Sequence, residues 1–142
     1  MKINIKRIDP SLPLPRYETD GSVGFDLITR ETTAVLPRSF ALVPGNVVVQ
    51  LPRQHMLLVS SRSSTPRRTG LVVPHGIGVV DSDYRGPEDE VKVQVWNPTD
   101  IAITVERGDR IAQGIIVRTE RAEWQEVDDV GLRSRGGFGS TG

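Results

Sequence analysis

Apolar residues in this chain recur every second position far more often than every third or fourth, which predicts strands rather than helices. Val91, Val93 and Val95 alternate with Lys92, Gln94 and Trp96, and Ile101, Ile103 and Val105 repeat the pattern. Ile3 and Ile5 make a first strand, and Phe25 and Leu27 flank Asp26 in another. Residues 35–42, 47–51 and 55–59 read as further short strands. Ile77, Val79 and Val80 lead a strand into a polar run, and residues 110–117 form an apolar strand interrupted by Gln113. Residues 118–130 are charged and weakly patterned, and read as an edge strand. Fourteen glycines and ten prolines punctuate these runs. The prediction is a single all-β domain.

Strand alternation turns Asp26 to the face opposite Phe25 and Leu27. There it is either a solvent-facing carboxylate or turn partner, or part of a site. Ser60 to Arg68 places hydroxyls around Arg62 at a strand end, with Ser64 set to cap a short helical turn carrying Pro66 near its start. Serine hydroxyls, backbone N–H groups and Arg62 suit a phosphate, although a serine-capped polar loop has the same composition. Arg67 and Arg68 read as solvated helix charges. The run Gly78 to Gly86 delivers Asp81, Asp83, Tyr84 and Arg85 from a strand end. Carboxylate, ring and cation can hold a water and a flat anionic ligand; the alternative is a polar hairpin tip. Pro87 to Glu90 reads as an acidic turn. Gln113, inside an apolar run, needs hydrogen-bond partners and is either a core network residue or a ligand contact. From Gly131 the chain has little to bury, which predicts a flexible glycine-rich terminus. Its Arg133, Arg135 and Phe138 suit a flap closing on an anion as well as they suit a disordered tail.

Composition narrows the function classes. The chain has 142 residues and a formal net charge of zero, so no global basic field points to nucleic acid or an acidic membrane. The absence of cysteine excludes disulfides, thiolate metal sites and cysteine nucleophiles, and two isolated histidines, His55 and His75, do not make a metal cluster. No apolar run approaches transmembrane length and Met1-Lys2 leads straight into a strand, so a cytoplasmic protein is expected.

Taken together, the segments resemble the trimeric dUTPase (deoxyuridine triphosphate nucleotidohydrolase) family. Gly24-Phe-Asp-Leu is similar to its first motif, Arg62-Ser-Ser to its second, and Gly78 to Gly86 to its third. Gly108-Asp-Arg-Ile-Ala-Gln is similar to the fourth and Arg133 to Gly142 to the fifth, all in the family's order. The resemblance implies a compact jelly-roll-type β-barrel over residues 1–130, with residues 131–142 as a flexible flap. It also implies a homotrimer with active sites at subunit interfaces. The implied reaction is hydrolysis of dUTP to dUMP and pyrophosphate, which limits uracil incorporation into DNA and supplies dUMP for thymidylate synthesis. Mg²⁺ would be held mainly by the triphosphate and reach Asp26 through water.

The resemblance also assigns roles. Asp81 would orient and activate the attacking water. Tyr84 would pack on the deoxyribose and leave no room for a 2′-hydroxyl. The stretch from His75 through Gly78, Val79 and Val80 to Asp81 would read uracil through its backbone. Arg62, Ser63 and Ser64 would hold the phosphates with support from Gln113, and Lys92 would face the substrate. Arg133 would reach the γ-phosphate and Phe138 would stack on uracil, with Gly139 and Ser140 beside them. Three positions depart from the family pattern: His75 replaces an asparagine common near the base, Ser134 replaces a glycine, and Pro87-Glu-Asp-Glu is about three residues longer than usual. A related dCTP deaminase would need a carboxylate where Gln94 stands, and an amide cannot act as that base. A nucleotide-sensing protein without turnover would be favoured by loss of Asp81, Tyr84 or the tail, and all are present.

Overall fold

The computed structural model describes residues 1–131 and 136–137. Ten strands and one short helix follow one another as β1 (Asn4–Arg7), β2 (Phe25–Ile28), β3 (Thr33–Val35), β4 (Phe40–Pro44), β5 (Val47–Gln50), β6 (His55–Ser61), α1 (Thr65–Thr69), β7 (Ile77–Val80), β8 (Lys92–Trp96), β9 (Ile103–Val105) and β10 (Arg110–Arg118). A four-stranded antiparallel sheet runs in the order β2-β10-β6-β7, and β1-β5, β3-β9 and β4-β8 are antiparallel pairs. The four sheets wrap one core without joining into a single closed barrel among the described residues. Val91, Val93 and Val95 enter that core beside Leu27, Leu51, Leu57 and Val43, while Lys92 between them is exposed. The period-two pattern is thus realised as burial, and the all-β class follows from it.

Close packing between β2, β10 and β6 depends on one glycine. A Cβ built on Gly114 would lie 2.8 Å from the Phe25 ring and 2.9 Å from Leu57. Both neighbours are buried and cannot swing away. Gly114→Ala is therefore expected to destabilise the fold by about 1–3 kcal/mol. Thermal unfolding should register this as a midpoint lowered by several degrees, and an unchanged midpoint would show that the sheet gives way freely.

Several expectations are corrected. Residues 35–42 do not form one strand: Pro37, which lacks an N–H, and Arg38, at φ 51°, turn the chain between β3 and β4. Ile101 lies outside β9, because its carbonyl accepts hydrogen bonds from Asn97 and Thr99 in the preceding turn. Residues 119–130 are not an edge strand. After Thr119 donates to Gln54 at 2.8 Å no ladder continues, and residues 120–131 are exposed, Trp124 included. Lacking an apolar alternation, that segment offers no face to bury. Ser64 does precede α1, but its side chain makes no capping hydrogen bond; Pro66 and the Gly70 cap define the turn instead.

Candidate active site

The functional segments gather at the two ends of β6. At its C-terminal end, register aligns Gln113 of β10 with Asp26 of β2 on one side and Ser60 of β6 on the other. The Arg62 guanidinium reaches across, with Nε 2.8 Å from Asp26 Oδ1 and Nη1 donating to the Arg110 carbonyl at 3.0 Å. Arg110 in turn places Nη1 3.1 Å from Asp26 Oδ2 and 2.8 Å from Glu18. Asp26 is buried, not solvent-facing as one reading allowed, because these two arginines cover its side of the sheet. Gln113 is half-buried and donates from Nε2 to the Ser61 carbonyl at 3.3 Å. A cleft of about 330 Å³ opens beside this cluster, lined by Arg62, Ser64, Arg68 and Arg110 among others, with Ser63 exposed nearby. Local cations and hydroxyls of this kind suit an anion. Arg68, read as a solvated charge, is exposed and lies on the rim of this cleft.

The opposite end of β6 carries the other chemistry. β7 pairs with β6 so that Val80 lies across from Leu57, and Asp81 leaves the sheet one residue later. The Tyr84 N–H donates to the Asp81 carbonyl at 3.2 Å, closing a turn that sets both side chains at one corner. The Asp81 carboxylate is exposed in a cleft of about 490 Å³ with His55, Ser82, Asp83 and Arg121. A second cleft, about 450 Å³, runs along the other side of β7 and takes in His75, Gly78, Val79, Val80, Lys92 and Gln94. Gly76 sits at φ 75°, where glycine alone is unstrained, and Gly78 lies where a Cβ would come within 3.3 Å of Val59. The two glycines leave the backbone at 76 and 78 without side-chain cover, between the exposed side chains of His75, Ile77 and Val79.

One chain does not bring the two ends together. From the β6 residue opposite Asp81 to Arg62 is six residues, roughly 20 Å along an extended strand. Arg133, Phe138, Gly139 and Ser140, and the departure at Ser134, lie outside the described residues.

Sequence reasoning missed a second buried carboxylate. Glu90, expected only as part of an acidic turn, has a side chain only 7% exposed and meets Arg30 through two hydrogen bonds, 2.9 and 3.1 Å. The Asn46 N–H donates to it at 2.8 Å, and the pairing holds the Arg30 guanidinium above its ordinary pKa. A charged residue directly before the alternating run at Val91 was the one available signal. Its partners, distant in sequence, were not legible. Arg110 stood inside a quoted motif, but nothing in its spacing showed the contact with Asp26.

Metal binding by protein side chains alone has no support among the described residues, which contain no group of three or more His, Cys, Asp or Glu able to hold an ion. Asp26 Oδ2 lacks a hydrogen-bond partner, yet both Asp26 oxygens face guanidinium groups. The Asp26 carboxylate is thus already met by cations and does not fit as a direct ligand of a resident ion. Among the described residues no helix is long and apolar enough to cross a membrane.

The dUTPase family model matches residues 11–142. The chain belongs to the dUTPase family. It is 44% identical to the deoxyuridine 5′-triphosphate nucleotidohydrolase of Thermobifida fusca, with all of this chain and 79% of that protein aligned. The Helicobacter pylori protein of the same name is 42% identical over all of this chain and 97% of its own. Among solved dUTPase structures, that from Streptococcus mutans superposes with a TM-score of 0.77 at 30% identity, covering 84% of this chain and 98% of the other. The dUTPase of Staphylococcus bacteriophage 80alpha, solved with dUPNHPP, shares the fold at a TM-score of 0.86 and 23% identity, covering 99% and 98%. A dUTPase mutant from phage phi11 of S. aureus, also alike in fold (TM-score 0.81, 20% identity, covering 93% and 100%), coordinates a structural Mg(II) ion.

Proposed function

We propose that this chain hydrolyses dUTP to dUMP and pyrophosphate, at sites completed by a second copy of itself in a homotrimer. The observation that carries the reading is the division of the motif set between the two ends of β6. A triphosphate needs cations and a water-activating carboxylate within a few ångströms of each other. Arg62 and Asp81 of one chain are too far apart for that, whereas symmetric association can set one chain's phosphate cleft against another's Asp81 corner.

In this reading the backbone of residues 75–80 reads uracil, Tyr84 packs on the deoxyribose, and Lys92 faces the substrate from β8. Arg62, Ser63 and Ser64 hold the phosphate chain, with Gln113 beside them and Asp26 fixing the Arg62 guanidinium. Asp81 accepts a proton from the water that attacks the α-phosphorus, and pyrophosphate departs. Mg²⁺, when bound with the triphosphate, neutralises charge on the leaving group. Residues 131–142, with Arg133, Phe138, Gly139 and Ser140, form a flap over the assembled site; residues 1–130 form the domain beneath it. The cytoplasm is the compartment that fits such a nucleotide hydrolase.

The deciding experiment measures pyrophosphate release from dUTP, dCTP, dTTP and UTP with Mg²⁺, with products identified. Release from dUTP giving dUMP is expected; ammonia from dCTP, or no turnover of any of the four, would overturn the reading. Truncation after Asp129 is expected to leave an assembled protein whose dUTP turnover falls by at least tenfold. An unchanged rate would remove the flap from the mechanism.

A further inference from the structure

We propose that Glu90 is a positioning residue for Tyr84, and that the Arg30–Glu90–Asn46 node thereby sets discrimination against a 2′-hydroxyl. The inference rests on the dUTP reading above and concerns a residue with no place in it.

The Tyr84 hydroxyl donates to the Glu90 carbonyl oxygen at 3.2 Å. Tyr84 is otherwise 41% exposed on a loop, so this bond is what tethers the far end of its ring. The backbone it binds is held from the other side. The Glu90 carboxylate accepts from Arg30 Nε and Nη2 and from the Asn46 N–H, at 2.9, 3.1 and 2.8 Å. Asn46 is fully buried at φ 67° and is itself locked, accepting the Asp9 N–H at 2.7 Å and donating to the Asp9 carbonyl at 3.1 Å. Two distant segments thus meet at Glu90, the β4–β5 turn at Asn46 and the chain just after β2 at Arg30, and Asp9 near the start of the chain fixes Asn46 from behind. The added residues before it are equally tied, with the Gly86 N–H donating to Asp89 and the Lys6 ammonium to the Pro87 carbonyl.

Excluding a hydroxyl by contact requires a wall that does not yield. A ring free to tilt by an ångström admits a 2′-hydroxyl, and misplacement on that scale changes rates strongly. Glu90, at the end of the acidic turn, is therefore a brace for the sugar wall, while Pro87 and Glu88 stay exposed.

The test compares kcat/KM for dUTP and UTP in the wild type, Glu90→Gln, Tyr84→Phe and the double variant. The ratio does not depend on how much of each sample is folded. It is expected to fall about five- to tenfold in each single variant, the consequence of losing one hydrogen bond. The double variant should show no further loss, since the Glu90 side chain acts on the ring only through the bond that Tyr84→Phe has already removed. An unchanged ratio in either single variant, or losses that multiply in the double, overturns the proposal. Should Glu90→Gln not fold, Arg30→Lys, which loses the two-point clamp on the Glu90 carboxylate and keeps the charge, takes its place in the same cycle. Absence of dUTP turnover in the wild type would instead overturn the proposed function, and this inference with it.

Discussion

An Asp81→Asn chain is expected to bind the nucleotide and to lose turnover by roughly 10²–10⁴-fold, the range that a positioned general base contributes. The substitution keeps the size of the side chain and removes its capacity to take a proton. Little else should change. Asp81 is exposed, among the described residues no hydrogen bond or ion pair of its carboxylate holds the fold, and its turn is closed by the backbone bond from Tyr84, which asparagine retains. Stability and assembly therefore serve as internal controls. Single-turnover rates alongside nucleotide affinity make the measurement, and a near-normal rate at normal affinity would remove Asp81 as the base.

Mixing two inactive chains should restore activity. Arg62→Ala removes a phosphate contact at one end of β6, and Asp26 keeps Arg110 at 3.1 Å, so no buried charge is left unpaired. Asp81→Asn disables the other end. Each variant alone should be nearly inactive. When the two are refolded together, sites pairing an intact Asp81 with an intact Arg62 from the other chain should reappear. With random assortment in a symmetric assembly they reach about a quarter of the total. Recovery near that level in a dUTP assay supports a site shared between copies. A mixture as inactive as its components would mean that each chain carries its own site, against the roughly 20 Å that β6 imposes between the two ends.

Much of the fold and of the site was written locally. The alternation of Val91, Val93 and Val95 with polar neighbours determined a half-buried strand, because side-chain period and burial are one signal in a sheet. Gly78 to Gly86 determined a strand ending in a carboxylate and a ring, since nothing beyond chain order was needed. What local pattern cannot carry is the identity of whatever covers the other face. Alternation turned Asp26 away from Phe25 and Leu27, but only the pairing of β2, β10 and β6 brought Arg62 and Arg110 over it. For Glu90 the composition of its neighbours pointed to solvent. Burial came from Arg30 and Asn46, sixty and forty-four residues away along the chain. Apolar period and turn chemistry act over a few residues and survive in the sequence; ion pairs between distant segments exist only once the chain has closed on itself. The separation of Arg62 from Asp81 is of the second kind, set by the length of β6 and by the register of β7 upon it.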